Sequence, residues 1–418
     1  MKIQFLLNIL LSTLLFNIAY LWPDYFGFAV LLFWIPIFFI IENLLNYKRA
    51  FLTGFLWGMV TYSIHFIWFF ILLRTKAYTT LLSAFYIYFF IVSIFAITSG
   101  VCFLILFFIK RLFKRIILKI FMFLFVWWFY FLFLSDYFFK ILNKNIKYPF
   151  ILPTVPLASF KIFLKFLAFL YFPLNNPNQI SVDKFKALNE QIFYIQPGAD
   201  LAYKYSHEIA IDKIYCNILN IKREKSLNKE DKATFFLMPE SAFPFVLNNY
   251  NFDELKLKKA LSDKDNLLLG GFHEKNGKFF QSIYLIRKGR ITQIYDKTIL
   301  VPGAEKLPKF WRKYFPFIEK LFLKDKRILS KGKFSNCYFE LIDDFKIVPK
   351  VCSEFFWQSD ASFECTNTTG PKVIFAFIND SWFCSYFRKL MQNYAQIRVV
   401  KSGISVVYIG FEGIEFFD

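Results

Sequence analysis

Residues 3–23 carry no charged side chain. As a helix rising about 1.5 Å per residue, a run of that length crosses about 30 Å of hydrocarbon. Residues 25–41, 50–73, 77–109 and 116–135 continue in the same way, uncharged or nearly so, with the second run short and interrupted at Pro36. Five buried-in-lipid helices are therefore expected, the first two forming a tight hairpin around Trp22, Pro23 and Asp24. A cleaved signal peptide would explain the first run alone, but no small-x-small cleavage site follows it and further runs come after, so it reads as a retained helix. A single water-soluble globule is excluded.

The charges fall between the runs. Up to residue 180 there are 15 Lys and Arg against three acids (Asp24, Glu42, Asp136), a net of +12, while the remainder has 36 against 28, a net of +8. The pairs Lys48/Arg49, Lys110/Arg111 and Lys114/Arg115 follow the second and fourth runs, which places those loops and the N-terminus on the cytoplasmic side. Attraction to anionic headgroups accounts for this placement better than nucleic acid does, and no nucleic-acid partner is expected. Residues 136–173, with Lys140, Lys144, Lys147, Pro149, Pro153 and Pro156, read as a loop followed by a sixth span, an interfacial helix or a re-entrant segment. Five to seven membrane segments over residues 1–174 cover these cases; five spans put the rest of the chain outside, six put it inside.

Residues 175–187 form a polar linker, and from 188 to 418 the pattern changes to short apolar strands alternating with charged helices. Strands are expected at 191–196, 234–238, 266–270, 282–287, 290–295, 345–351, 373–378 and 404–409, with Lys288-Gly289 as a hairpin turn. Helices are expected at 205–221, 252–263 and 383–399. This is one α/β domain with a core of its own. Six cysteines show no CxxC pair, so no zinc module is expected, and a disulfide among Cys337, Cys365 and Cys384 requires an oxidising compartment. Three histidines leave little material for a metal site, and no metal or cofactor is expected.

Three expected strands end on a reactive side chain. Glu240 follows 234–238 in LMPESAFP, Lys297 follows 290–295 in YDKTILVPGAEKLP, and Cys352 follows 345–351 in VCSE. Taken singly, Glu240 is more readily a solvated loop acid, Lys297 a surface lysine and Cys352 a small buried hydrophobe. Together, a carboxylate, an ammonium and a thiol beyond the carboxyl ends of strands are the parts for acyl transfer through a thioester.

The words around them resemble the nitrilase superfamily, whose Glu, Lys and Cys triad occurs in this order, and more closely the apolipoprotein N-acyltransferases, its membrane-bound relatives. Pro239 to Ala242 and Pro244 match that family's PESA-P; Tyr295, Lys297, Leu300, Val301, Pro302, Glu305 and Pro308 match its lysine word; Cys352 and Glu354 match C-Y-E. Asn379, Asp380, Trp382 and Phe383 match N-D-A-W-F, and Gly403, Ile404 and Ser405 match part of N-T-G-I-S. Departures are Ser353 in place of an aromatic, Gly303-Ala304 in place of Phe-Gly, and Tyr205 where a Trp is usual. Relatives continue past the position of Asp418 into a last membrane helix, so a chain lacking that anchor is expected.

The resemblance implies a transmembrane helical bundle followed by a nitrilase-like α-β-β-α sandwich, on the periplasmic side of a bacterial inner membrane, as a monomer. It implies transfer of an acyl chain from a membrane phospholipid to the α-amino group of a diacylglyceryl apolipoprotein. Glu240, Lys297 and Cys352 would be catalytic, with Glu305 and Glu354 in support and Tyr205, Phe243, Phe356 and Trp357 near the acyl chain. The alternatives are a membrane-anchored amidase, which predicts a small polar pocket, and an inactive membrane scaffold.

Overall fold

A computed structural model describes residues 2–75, 81–132, 154–158, 185, 187–188, 190–196, 207–224, 234–243, 245–247, 257–301, 305, 329–333, 338–340, 346–357 and 372–418. Two compact units are distinguished, one of residues 1–167 with 382–397, the other of residues 168–381 with 398–418.

The first unit is helical. Its elements are α1 (Lys2–Leu21), α2 (Pro23–Phe26), a 3-10 turn (Gly27–Leu31), α3 (Trp34–Glu42), α4 (Tyr47–His65), α5 (Ile67–Thr75), α6 (Leu81–Leu112), α7 (Ile116–Leu132) and the single turn α8 (Thr154–Leu157). The hairpin after α1 turns where expected, with Pro23 opening α2 at the position where a missing N–H costs nothing. The break in the second run does not fall at Pro36. It falls over the 3-10 turn before it, because Pro36 sits in the first turn of α3, where the ring displaces no helical bond. The run at 50–73 is bent by 50° between α4 and α5.

Among the described residues three helices are long and apolar enough to cross a membrane, a fourth if the bent pair is one span, and Ile116–Phe131 is a shorter apolar helix. The unit packs closely where α4 meets α6. A Cβ on Gly58 would lie 2.8 Å from the Cα of Ala96, and one on Gly54 would lie 2.6 Å from the ring of Phe103, so only small residues permit this approach. Hydroxyls and an amide bind the interior. Ser12 Oγ donates to Phe33 O at 2.8 Å and accepts from Trp57 Nε1 at 3.1 Å, Thr13 and Thr61 pair at 2.9 Å, and Ser99 and Tyr130 pair at 2.8 Å.

The second unit is built on two five-stranded sheets. The first has the order β1 (Ile192–Tyr194), β2 (Thr234–Leu237), β3 (Asp265–Lys275), β4 (Lys278–Arg287), β5 (Arg290–Asp296). Across the second run β10 (Ile414–Phe417), β9 (Val406–Ile409), β8 (Lys372–Phe377), β7 (Lys346–Val351) and β6 (Phe339–Glu340). β1, β2 and β3 pair in parallel, as do β7, β8 and β9. Alternate residues of both sheets interdigitate as one core: Phe235, Leu237, Leu268, Ile283 and Leu285 meet Ile347, Val351, Phe375, Phe377 and Val407. The opposite face of the first sheet is covered by α9 (His207–Glu224) and the short α10 (Leu257–Ala260) through Ile211, Ile214, Ile218 and Leu257.

The hairpin at Lys288-Gly289 forms, both residues having positive φ. A second one forms at Asn276-Gly277 and carries β3 to Lys275, five residues past its expected end at 270. β8 and β9 are parallel, so a crossover must join them; it is α12 (Ser385–Ser402), preceded by the short α11 (Ser353–Trp357) earlier in the chain. Residues 382–397 of this crossover belong to the helical unit, where Phe387 stacks on Trp68 of α5 with ring centroids 4.1 Å apart. Cys384 is a free thiol; Cys337 and Cys365 lie outside the described residues.

Candidate active site

The loops that leave β2, β5, β7 and β8 converge beyond the strand ends. At the end of β2, Pro239 lies against β3, and Gly270 is what allows it: a Cβ there would lie 2.4 Å from Pro239 O. Ser241 takes the left-handed conformation, φ 55°, which turns the chain sharply behind Glu240. Its Oγ accepts from Gln281 Nε2 at 2.9 Å, and Gln281 O accepts from Lys297 N at 2.8 Å. One residue of β4 thus holds both the glutamate loop and the lysine loop.

Lys297 has no exposed side-chain surface and stands between two carboxylates, 2.9 Å from Glu240 Oε1 and 2.8 Å from Glu305 Oε1. Burial pulls its ammonium down, but Glu240, Glu305 and Cys352 outweigh that and hold it well above the ordinary lysine range. It is a permanent cation. Burial pushes Glu305 up, against the pull of Lys297; its other oxygen accepts from Val301 N at 2.8 Å. Glu240 Oε2 accepts from Asn379 N at 3.2 Å.

Cys352 begins the turn after β7 with φ 45°, a strained conformation for a residue with a side chain, and its N–H is fixed on Phe377 O at 2.9 Å. The thiol is half-buried. Burial pushes it well above the ordinary thiol range, and the charge of Glu240 adds to that, with Lys297 opposing. A resting thiol beside a carboxylate needs a base before it can attack anything.

Glu354 is fully buried. It accepts from Val351 N at 2.9 Å, Tyr295 Oη at 3.0 Å, Thr298 Oγ1 at 2.5 Å, Ile299 N at 3.3 Å and Thr298 N. These bonds clamp the turn carrying Cys352 to the segment carrying Lys297. Ser353, the departure beside the cysteine, adds a further tie: its Oγ donates to Ile299 O at 2.7 Å. Lys350, on the strand leading to Cys352, is buried as well, and burial lowers it to about 8 against the opposing charge of Glu354.

The structure therefore brings Glu240, Lys297, Cys352 and Glu305 together and puts Glu354 behind them. Phe243 lies in the core on the helix-covered face of the first sheet, and Phe356 is buried. Trp357 ends α11, and Tyr205 lies outside the described residues. Sequence reasoning passed over Gln281 and the N–H of Asn379. The backbone group leaves no mark on a sequence, and Gln281 sits in an alternating strand where a buried polar residue is the only signal.

No protein-family model matches the chain. Homologues among curated proteins are named apolipoprotein N-acyltransferase: one from Campylobacter jejuni is 31% identical over 179 residues, 43% of this chain and 37% of that protein. One from Helicobacter pylori is 30% identical over 193 residues, 45% and 43%, and one from Aquifex aeolicus is 29% identical over 203 residues, 46% and 41%. The chain thus matches about two-fifths of the length of these relatives. Among solved structures, a CN-hydrolase superfamily protein from Xanthomonas campestris aligns with TM-score 0.32 at 12% identity, covering 49% of this chain and 72% of that one.

Proposed function

We propose that the protein is a membrane-bound N-acyltransferase of lipoproteins, moving an acyl chain from a phospholipid to an N-terminal amine through a thioester on Cys352. The observation that supports it best is the Lys297 ammonium held between Glu240 and Glu305 in the site that also holds the Cys352 thiol, in a chain with membrane-length apolar helices. The name that the homologues carry points the same way.

In this reading Glu240 takes the proton of the Cys352 thiol as Sγ attacks the ester carbonyl. Two of the three Lys297 N–H donors face Glu240 and Glu305, which leaves one for the developing oxyanion, with a backbone N–H near residue 353 as the second donor. The acyl C–O bond breaks, Glu240 returns the proton to the leaving alcohol of the lysophospholipid, and the acyl group stays on sulfur. The α-amine of a diacylglyceryl cysteine then attacks the thioester, Glu240 removes its proton, and the C–S bond breaks to regenerate the thiol. Glu305 and Glu354 hold Lys297 and the cysteine turn in place. The sandwich would face the periplasm, where both lipid-anchored substrates reach it by lateral diffusion.

Membranes holding the protein are incubated with phospholipid carrying a labelled acyl chain. Hydroxylamine-releasable label on the protein is expected, absent in Cys352→Ala, and passing to a diacylated peptide amine. No label in the unmutated protein overturns the reading; label released only to water replaces it with a hydrolase.

A further inference from the structure

The N–H of Asn379 ties the candidate base to the loop after β8, and something must hold that loop. Ile378 N bonds Ile409 O at 2.9 Å as the last rung of the sheet, and the chain then leaves the strand through the 3-10 turn Asp380–Trp382. Asp380 is buried, 3% exposed, and its carboxylate is bound by the loop that follows β9. Its Oδ1 accepts from Phe411 N at 2.6 Å and its Oδ2 from Tyr408 Oη at 3.3 Å. Gly410 is packed onto the same carboxylate so closely that a Cβ would lie 2.6 Å from Oδ2. Tyr194 of β1 locks the far side of that loop, donating to Gly410 O at 2.8 Å and to Phe411 O at 2.6 Å.

We infer that Asp380 is a positioning residue for the candidate base: by binding the 410–411 loop it fixes the peptide that presents the Asn379 N–H to Glu240. The inference rests on the acyltransferase reading only for the identity of the reaction, since any chemistry using Glu240 to activate Cys352 needs the same alignment. Loss of the anchor frees the Asn379 peptide to rotate and takes its N–H away from Glu240 Oε2. The groups facing Glu240 are Lys297, Glu305 through Lys297, and Cys352; those facing Asp380 are Tyr408 and Tyr194. Burial first and Asp380 second hold both tyrosines above the ordinary phenol range, so neither changes charge between pH 5 and 9.

The test is the rate at which iodoacetamide alkylates Cys352 in the full-length membrane protein, read on the Cys352 peptide by mass spectrometry from about pH 5 to 9. Asp380→Ala is expected to move the acid limb of the profile up by about one pH unit, which slows alkylation about tenfold at pH values below that limb. Asp380→Asn keeps an acceptor for Phe411 N–H and is expected to stay within about threefold of the unmutated rate. An Asp380→Ala profile that superimposes on the unmutated one overturns the assignment. So does one lowered equally at every pH with its limb in place, which is the signature of a partly unfolded population. If Asp380→Ala does not accumulate, Tyr408→Phe removes one donor from the same carboxylate; a smaller shift in the same direction supports the assignment and an unmoved limb overturns it. Thioester formation from labelled phospholipid is measured in parallel. Its absence in unmutated protein removes the acyltransferase reading, while the alkylation profile still decides the role of Asp380.

Discussion

The two units bind their interiors with different chemistry. In the helical unit Ser12, Thr13, Asn17, Thr61 and Ser99 are buried neutral groups tied by hydrogen bonds, while His65 Nε2 and the indole N–H groups of Trp68 and Trp127 are buried with no hydrogen-bond partner among the described residues. In the sandwich the buried polar groups beyond the strand ends include the ionisable side chains Glu240, Lys297, Glu354 and Asp380 beside the hydroxyls of Thr298 and Ser353. A neutral bond survives in an apolar medium at modest gain, whereas a buried charge costs several kcal/mol unless its partners are complete. The lesson is where the chain spends charge. Among the described residues the buried Asp, Glu, Lys and Arg side chains all lie in the sandwich, at Glu240, Lys297 and Glu354 in the candidate site and at Asp265, Lys350, Lys372, Asp380 and Arg398 around it.

The comparison is tested hardest at the cation. Lys297→Met leaves Glu240 and Glu305 facing each other without their counter-ion, and thioester formation is expected to fall about 100-fold to 1000-fold, read as initial label incorporation. An effect under threefold would mean the cation serves packing alone. Glu354→Gln comes next. A carboxamide can accept only part of what the carboxylate accepts from the Val351, Thr298 and Ile299 N–H groups, and brings its own N–H against them; a loss of about 3 kcal/mol in denaturant stability is expected.

On the helical side Gly58→Leu forces a side chain into the backbone of Ala96, with an expected loss of about 2 kcal/mol in the detergent-solubilised protein. Lys350 gives a pH signature. Its folded value near 8 is below the unfolded lysine value, so above pH 8 the unfolded state holds more protons and stability rises with pH. Unmutated protein is expected to gain about 1 kcal/mol relative to Lys350→Met between pH 7.5 and 9, followed by urea denaturation. The smallest effect is Thr61→Val, which removes one neutral bond to Thr13 and should cost about 0.6 kcal/mol. A larger cost there than at Glu354 would invert the contrast between the units.

Much of this was legible in the residues. The apolar runs and the alternation from residue 191 onward carry their periods openly, and Glu240, Lys297 and Cys352 each stand after a strand the alternation predicts. The interruption in the second run was misplaced because a proline in a first helical turn looks the same as one in mid-helix. The extension of β3 is hidden although Asn276-Gly277 is a strong turn signal, because His273 and Glu274 are polar and half-exposed, Lys275 is exposed, and together they break the apolar run. Buried hydrogen bonds made by Glu354 depend on loops far apart in sequence, so no local pattern reports them. The Asn379 N–H could not be read from any side chain.

The crossover helix has a practical consequence for anyone wishing to work with the sandwich alone. Residues 382–397 leave the second unit and return to it between two adjacent strands, β8 and β9. A fragment begun after residue 180 would keep that helix while losing α5, and with it the Trp68 ring that covers Phe383 and Phe387. Such a fragment would expose an aromatic face in the middle of its sequence, where trimming an end cannot remove it. Aggregation is the expected fate of the excised sandwich, and polar substitutions at Phe383 and Phe387 are the first remedy to try.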